Sequence, residues 1–525
     1  MPFGPHHGNA PRLPLAALIA LGALYLLLGV TGHDPWKTED AIHIGIAHGI
    51  VSQGHWLFPH VAGEPWPHTA PLYHWLAALL GSIFGGWLPF HDAARLATPL
   101  FGALFLFSLA RATQAYYGDA AGRIAPLLAI GTLGLLLPLH EAQPAVAGLA
   151  FAALSFWGAG LVQQGKRRGA WLIGLGLGLG FAAHGLAGTV MALAVLAAPT
   201  FRGDAKSLLL ALGIALPLAV AWPLAVHLLA PELWQAWWQN EFAEATRART
   251  LPEGRHVEQL AWAAWPVLPL ALWSLWLHRR HIDRVLVPAL GLLLAILWFL
   301  SGSSRLLSLL PAMVPMILLG AAGAEKLRRG AANAFDWFGV MTFSFFSLLI
   351  WLGASAQALD WPPQVARNFD KLAPGHTVSY SVATLVFCGA VSLAWLASWR
   401  LARAPWRASL HWAAGTTLFW ALTVGLWFSW IDHAKTYRPV VASLQAALRQ
   451  QGGCIERANL GSAQRASLAY FADITTHPPA REAACPLRLT IDDRGRATPA
   501  GWKPVWQDGR SSDRKERWYL ERRSD

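Results

Sequence analysis

Apolar segments of about 20 residues recur along the chain and alternate with short polar loops. A segment of that length is what an α-helix needs to cross the hydrocarbon core of a bilayer. The pattern therefore predicts an α-helical polytopic membrane protein with about 13 transmembrane helices. The predicted spans are residues 13–31, 93–111, 122–139, 144–162, 170–183, 185–199, 207–230, 258–277, 285–301, 306–324, 335–356, 378–398 and 409–431.

Clusters of Lys and Arg between these spans predict the orientation, because such clusters favour the cytoplasmic side. They lie at Lys166–Arg168, Arg202–Lys206, Arg279–Arg284, Lys326–Arg329 and Arg400–Arg407. Successive loops of a polytopic protein lie on alternate sides of the membrane. With the N-terminus in the cytoplasm, all of these clusters are cytoplasmic only if the apolar stretch Pro71–Leu88 does not cross. We expect it to enter the membrane without crossing or to lie along its surface.

This orientation gathers the unusual polar residues on one side of the membrane. The loop His33–Trp75, the His140–Glu141 corner, the His184 corner, the loop Pro231–His256 and the Ser301–Arg305 corner are all predicted to be external. Ionisable residues next to lipid are costly and usually serve a function. The sequence therefore predicts one external, periplasmic active face.

The apolar runs end near residue 434, and the tail becomes rich in Arg and Asp. Its patterns predict helices at Arg438–Arg449 and Arg465–Phe471, and short strands at Leu487–Ile491 and Trp518–Leu520. We expect a transmembrane domain over 1–433, with a catalytic first periplasmic loop over 32–92, and a small soluble α/β domain over 434–525 on the periplasmic face.

Cysteine usage fits an oxidising compartment for the tail. Cys454 and Cys485 have a spacing that permits a disulfide, whereas Cys388 lies in an apolar span and is expected to be inert.

Composition narrows the class further. Hydrophobic residues make up 55% of the 525 residues and charged ones 13%, about half the usual share in soluble proteins. The net charge of +12 comes from residues scattered over short loops. This distribution indicates cytoplasmic loops and contact with anionic lipid headgroups rather than nucleic acid. The chain has no Walker loop, Rossmann fingerprint, paired CxxC or HExxH motif. The alternating run Gly174–Gly180 is expected to be a helix-packing surface.

The acid pair Glu39–Asp40 is the first candidate for catalysis, because one carboxylate could act as a general base while the other orients it. The alternative is an ordinary helix start, with Thr38 as the cap and acids in the first turn. Glu64, Trp66 and His68 lie in a proline-stiffened segment that could hold side chains over a site.

Other candidates lie on the external corners. Glu141 could face the same cavity as Glu39 or mark the water interface, and His184 could bind a ligand or be structural. Arg247, Arg249, His256 and Arg305 are candidates for binding a lipid phosphate, since Arg offers a planar fork for phosphate oxygens. Bulk phospholipid contact is the alternative for the loop residues.

The order of motifs in the first loop resembles that of GT-C membrane glycosyltransferases of the family 39/83 type. The motifs are Trp36, Glu39–Asp40, Gly54–Trp56, Pro59, Gly63, Trp66, Pro71–Leu72 and Trp75, with related segments at Ala93–Leu96, His184–Gly188 and Ser303–Pro311. The family 39/83 type of GT-C glycosyltransferase includes protein O-mannosyltransferases and the aminoarabinose transferases that modify lipid A. The resemblance covers residues 13–430.

The resemblance implies a sugar donor linked to polyprenyl phosphate and a lipid A, envelope glycan or protein acceptor, outside the bacterial inner membrane. The family's acid pair falls on Glu39–Asp40 in reversed order, with its base on Glu39. A family Lys falls on His184 and another on Arg305. Where the family has a Tyr-Phe-Glu-Lys-Pro-Pro motif, residues 66–71 of this chain read Trp-Pro-His-Thr-Ala-Pro. The Glu and the Lys of the family motif are therefore missing here.

These residues lead to the hypothesis of an inverting transfer in which Glu39 or Asp40 deprotonates the acceptor. Arg305, with Arg247, Arg249 or His184, would stabilise the departing lipid phosphate. No cofactor is required, although Glu39, His68 and Glu141 could hold a divalent metal. The alternative is a polytopic glycolipid transporter or glycolipid-binding protein without catalysis, for which key charges should lie near the bilayer centre.

Overall fold

The computed structural model describes residues 13–198, 203–246, 254–301, 306–479, 485–492, 499–513 and 515–524, without the side chains of 242 and 244–246. Helices α1 to α11 are Leu15–Leu27, Glu39–Gln53, Leu72–Phe84, Phe90–Arg95, Ala97–Tyr117, Asp119–Gly131, Pro144–Gln163, Gly169–Thr189, Ala205–Leu229, Pro231–Thr246 and Gly254–Ala263. Helices α12 to α22 are Val267–Leu277, Leu286–Ser301, Leu306–Leu309, Met313–Glu325, Arg329–Leu359, Pro363–Leu372, Val382–Ser398, Arg407–Leu422, Phe428–Lys435, Arg438–Leu448 and Ser462–Ala472. Short 3-10 segments occupy Leu133–Leu135, Val190–Leu196, Ile282–Arg284 and Leu310–Ala312, and a π-helical turn spans Thr423–Trp427.

The described residues include seven helical segments long and apolar enough to cross a membrane. The count becomes eight if α11 and α12, which meet at 88°, form one bent span. Helix α3 in the Pro71–Leu88 stretch has 13 residues and is about 20 Å long, the same length as α1 in the first predicted span. The expectation that this stretch does not cross therefore stays a prediction.

The Gly174–Gly180 run is a packing surface, as the sequence predicted. A side chain at Gly174 or Gly178 would collide with helix α9, because a Cβ would lie 2.7 Å from the Ala211 oxygen or 2.9 Å from the Ala215 oxygen. Gly176 faces the other way and would clash with α7. Alternating glycines therefore let α8 approach two neighbouring helices at once.

The corner predicted at His184 is a chain reversal. The backbone leaves helical geometry at His184 and at Gly185, whose φ is +58°. A Cβ on Gly188 would lie 2.6 Å from the Gly180 oxygen, whereas eight residues of straight helix would separate these positions by about 12 Å. The segment therefore folds back as a hairpin, and Gly185 supplies the left-handed conformation that a side chain would disfavour.

The C-terminal unit, residues 437–524, contains α21, α22 and a four-stranded sheet. Strands β1 and β2, His60–Val61 and Glu64–Pro65, belong to a small hairpin in the first loop. Strands β3 to β6 are Ile455–Ala458, Leu487–Asp492, Trp502–Asp508 and Arg517–Arg523, in spatial order β3-β4-β6-β5. The β3–β4 pair is parallel, and the other two pairs are antiparallel. The two helices and two strands predicted for the tail are therefore present.

A separate apolar core holds the C-terminal unit together. It includes Tyr437, Leu444, Leu487, Trp518 and Leu520, all fully buried. A disulfide joins Cys454 to Cys485, and Cys388 is a buried free thiol. The main membrane core lies elsewhere, among α5 to α8, α12 and α15.

Close packing joins the C-terminal unit to the first loop. Helices α2 and α22 approach so tightly that a Cβ on Gly45 would lie 2.9 Å from the Cβ of Ala466. Three groups of ion pairs cross the same boundary. They are Asp34 with Arg438, Lys37 with Glu516, and Glu64 with both Arg457 and Arg465.

The reversal at His184 gives a test of the fold. We expect Gly188→Val to lower the stability of the protein by about 1–3 kcal/mol, because the new side chain must displace the Gly180 backbone. Thermal unfolding in detergent measures the loss. Gly213→Val is the matched control, since nothing lies within 4 Å of that Cβ position. Equal unfolding temperatures for the two variants would contradict the hairpin.

Candidate active site

A cavity of about 560 Å³ opens between the first loop, the helical bundle and the C-terminal unit. Its walls come from distant parts of the chain. Its polar lining is Lys37, Thr38, Glu39, His43, His68, Thr69, Gln143, His184, Asn240, Glu241, Ser308, Ser462 and Gln464. Trp66 and Trp298 supply aromatic surface. Four of the sequence-predicted site residues, Glu39, Trp66, His68 and His184, therefore share one cavity.

Glu39 is the acid that faces the cavity. It begins helix α2, and its side chain is 32% exposed. The Nε2 atom of His43, one helical turn further on, lies 3.4 Å from its carboxylate. Thr38 makes no side-chain cap, but both acids lie in the first turn of α2, as the alternative of an ordinary helix start expected.

Asp40 points away from the cavity into the protein. Its carboxylate is 1% exposed and pairs with Arg95 through bonds of 3.1 Å from Nε and 3.0 Å from Nη2. The Ala142 amide also donates to it at 2.8 Å. Burial acts to raise the pKa of Asp40, but the charge and hydrogen bonds of Arg95 outweigh it, so the pKa lies below its usual value. This corrects the prediction of Asp40 as a base: both oxygens are occupied and none reaches the cavity.

Glu64 belongs to the contact between the first loop and the C-terminal unit rather than to the cavity lining. Its carboxylate accepts from Arg457, 2.9 Å from Nη2, and from Arg465. Burial acts to raise the pKa of Glu64, but the two guanidinium groups outweigh it and hold the pKa below its usual range. The substrate-binding prediction for Glu64 is therefore replaced by a structural ion pair.

The remaining predicted residues do not line the cavity or cannot be placed. Glu141 lies close to Asp40 and Glu39 but outside the lining. His256 is buried with its ring 5.1 Å from that of Phe299. Arg247, Arg249 and Arg305 lie outside the described residues. In the described part of the chain, no three His, Cys, Asp or Glu side chains come together to hold a metal ion, so Glu39, His68 and Glu141 form no such set.

The structure adds residues that the sequence interpretation did not assign to the site. Glu241, 8% exposed, accepts a 3.0 Å bond from the Leu186 amide and so holds the His184 corner. Gln143 accepts from the Ala145 amide at the start of α7. His43 follows Glu39 at helical spacing i+4, which was the one available signal. Ser462 and Gln464 come from a distant segment, and no local pattern indicates them.

Solved structures show the class of this fold. The crystal structure of ArnT from Cupriavidus metallidurans bound to undecaprenyl phosphate matches with a TM-score of 0.70 over 96% of this chain and 97% of that chain, at 13% identity. The same protein in the apo state matches with a TM-score of 0.66. The chain therefore has the fold of these ArnT structures.

Curated relatives share sequence as well. The chain is 27% identical over 419 residues to the undecaprenyl phosphate-alpha-4-amino-4-deoxy-L-arabinose arabinosyl transferase of Pseudomonas paraeruginosa, covering 75% of this chain and 72% of the relative. The enzyme of that name from Pectobacterium carotovorum is 25% identical over 438 residues. No family model matches. These similarities confirm the predicted resemblance to aminoarabinose transferases and the interpretation as a membrane glycosyltransferase.

The Asp40–Arg95 pair gives a stability test. Arg95→Leu leaves Asp40 and Asp92 buried without their shared cation, so we expect a loss of about 3–5 kcal/mol. Unfolding by denaturant in mixed micelles measures it. Adding Asp40→Asn should restore part of the loss, because one uncompensated charge disappears. Arg111→Leu, an exposed position on α5, is the control. A loss no larger than that of the control would show that the pair is dispensable.

Glu141 gives a pH test. Burial, with the negative charge of Asp40, raises the pKa of its carboxyl to about 8. The folded protein then binds this proton more tightly than the unfolded chain, so stability falls as pH rises from about 4.5 to about 8. We expect Glu141→Gln to raise the unfolding temperature more at alkaline than at acidic pH. Glu232→Gln, exposed on α10, is the control. A pH-independent effect would contradict the shifted pKa.

Proposed function

We propose that this protein transfers 4-amino-4-deoxy-L-arabinose, or a closely similar sugar, from undecaprenyl phosphate to lipid A. The observation that carries the proposal is the cavity itself. It places the partly exposed carboxylate of Glu39 beside aromatic and imidazole groups, in a fold shared with a glycosyltransferase that binds undecaprenyl phosphate. The names of the curated relatives include the donor, undecaprenyl phosphate-alpha-4-amino-4-deoxy-L-arabinose.

The proposed location is the bacterial inner membrane, with the cavity and the C-terminal unit on the periplasmic side. The Cys454–Cys485 disulfide supports this side, because disulfides persist in oxidising compartments. The proposal keeps a cytoplasmic N-terminus, about 13 crossings, and the division into 1–433 and 434–525. The separate core of the C-terminal unit supports that division.

In the proposed reaction, Glu39 accepts the proton of the acceptor O–H group. The acceptor oxygen then forms the new bond to the anomeric carbon, and the electron pair of the old bond leaves with undecaprenyl phosphate. Glu241, the other carboxylate of the described lining, is 8% exposed and accepts from the Leu186 amide, whereas the side chain of Glu39 is 32% exposed. The greater exposure favours Glu39 as the base and fits an inverting displacement in which one carboxylate acts as the base.

Charge on the departing phosphate needs positive or donor groups nearby. Lys37, His68 and His184 line the cavity and could supply them. Arg305 immediately precedes the segment whose Leu307 and Ser308 line the cavity, which supports its proposed contact with the phosphate. Arg247 and Arg249 follow α10, whose Asn240 and Glu241 line the cavity, so their proposed role has similar support.

The test is transfer by the purified protein in nanodiscs, with undecaprenyl phosphate-linked aminoarabinose as donor and lipid A as acceptor. We expect Glu39→Gln to lower kcat by about 10²–10⁴-fold with little change in KM, since a general base acts in the transition state. Glu232→Gln should behave as wild type, and thermal unfolding should show that all three proteins are folded. Full activity of the Glu39 variant would reject Glu39 as the base. Absence of transfer by the wild type with this donor and acceptor would reject the proposed substrates.

A further inference from the structure

Two histidines behind Glu39 form a hydrogen-bonded pair that the mechanism above does not use. The Nδ1 atom of His43 lies 3.0 Å from the Nε2 atom of His74. His43, 6% exposed, forms part of the cavity wall, and His74 on α3 is fully buried. With the 3.4 Å contact between Glu39 and His43, three titratable groups form a line from the cavity into the protein.

The geometry of His43 arranges the three groups as a linear series of contacts rather than as a set of converging ligands. Its Nε2 faces Glu39 and its Nδ1 faces His74, on opposite edges of the ring. The three side chains therefore do not converge on one point, as metal ligands must. A hydrogen bond between two neutral imidazoles uses one N–H donor and one unprotonated acceptor. If His43 donates through Nδ1, its Nε2 carries a lone pair directed at Glu39.

We propose that His74 holds His43 in this tautomer, and that His43 takes over the proton that Glu39 removes from the acceptor. This inference rests on the proposed function and deepens it. His43 and His74 are positioning residues in this scheme, because they act through Glu39. The arrangement follows the general logic of an acid–base pair oriented by a third group.

The proton balance of the step is simple. The acceptor O–H bond breaks, its proton binds the Glu39 carboxylate, and the oxygen's electron pair forms the glycosidic bond. Glu39 then passes the proton to Nε2 of His43, which becomes an imidazolium while its Nδ1–H bond to His74 is kept. Glu39 is again ionised, and the proton leaves to water through the open cavity after the product departs.

Other charged groups surround this pair and will shape its pH dependence. His184 on α8 interacts electrostatically with both His43 and His74, and Glu39 interacts with His184. The remaining titratable groups of the cavity are Lys37, His68 and Glu241. The Asp40–Arg95 pair lies next to Glu39 on the protein side. The direct polar contacts of the His43 ring described above are those with Glu39 and His74.

The experiment compares His43→Gln and His74→Phe with wild type in the nanodisc assay. Gln can still hydrogen-bond to Glu39 and His74 but cannot carry the proton, and Phe keeps the ring of position 74 but no acceptor. We expect His43→Gln to lower kcat by about tenfold or more, to leave both KM values within about twofold, and to abolish the acid limb of the pH–kcat profile. His74→Phe should lower kcat and shift the pH midpoint of the acid limb of the same profile.

His48→Gln is the matched control. His48 lies on the same helix, but its ring packs on Phe90 and Tyr470, away from the cavity. It should keep the wild-type kcat and pH profile. Wild-type kcat in His43→Gln, or a loss of activity that appears only in KM with an unchanged pH profile, would overturn the proposal and leave His43 as a part of the cavity wall.

A second measurement separates this inference from the proposed function. Difference infrared spectroscopy follows ionisation of the Glu39 carboxyl without any substrate, with Glu39→Gln to assign the band. We expect its titration to change in His43→Gln and not in His48→Gln. An unchanged titration would reject the coupling even if the enzyme transfers sugar. If wild type transfers none of the offered sugar, the proposed substrates fail while the infrared result still decides whether the pair is coupled.

Discussion

The buried ion pair between Asp40 and Arg95 is the constraint on which the site depends. Arg95 also donates to Asp92 at 3.0 Å and to the Val30 carbonyl at 2.8 Å, while Asp40 accepts from Ala142. One guanidinium on α4 thus ties together the segment after α1, the start of α2, Asp92 of α4 and the segment before α7. Desolvated charges tolerate little displacement, because separating them in a low dielectric is costly. The start of α2 is therefore fixed, and Glu39, the neighbouring residue, is directed toward the cavity.

The cavity is a composite of the membrane bundle and the C-terminal unit. Ser462 and Gln464 at the start of α22 form part of its wall, and α22 packs directly on α2. The ion pairs of Asp34, Lys37 and Glu64 hold the two parts together around the opening. Partly exposed pairs of this kind stabilise weakly one by one, so the arrangement is held mainly by helix packing and oriented by charge.

Much of the local structure could be predicted from the sequence, because local structure follows local patterns. The apolar segments, the packing role of Gly174–Gly180, the corner at His184 and the elements of the tail all depend on periodicity and composition near each residue. The roles of the paired acids could not be separated in the same way. Glu39 and Asp40 are adjacent and chemically alike, and only Arg95, more than fifty residues away, distinguishes them.

Glu64 shows the same limit more strongly. Its partners, Arg457 and Arg465, are 393 and 401 residues away along the chain. From the sequence alone, its position in a polar loop was therefore equally consistent with contact to a ligand. The number of crossings is also difficult to read from hydropathy, since α3 is apolar but short and α8 is a hairpin within one apolar segment. Both features depend on glycines, prolines and tertiary contacts rather than on mean apolarity.

The position of α22 in the chain has a consequence for biosynthesis. Its residues are made more than four hundred positions after Glu39. A growing chain that does not yet contain α22 lacks the part of the cavity wall that Ser462 and Gln464 form. The finished wall forms only when α22 has folded against α2. The protein therefore acquires its complete site only after α22 is made, so that shorter nascent chains hold the proposed base without the surroundings in which it works.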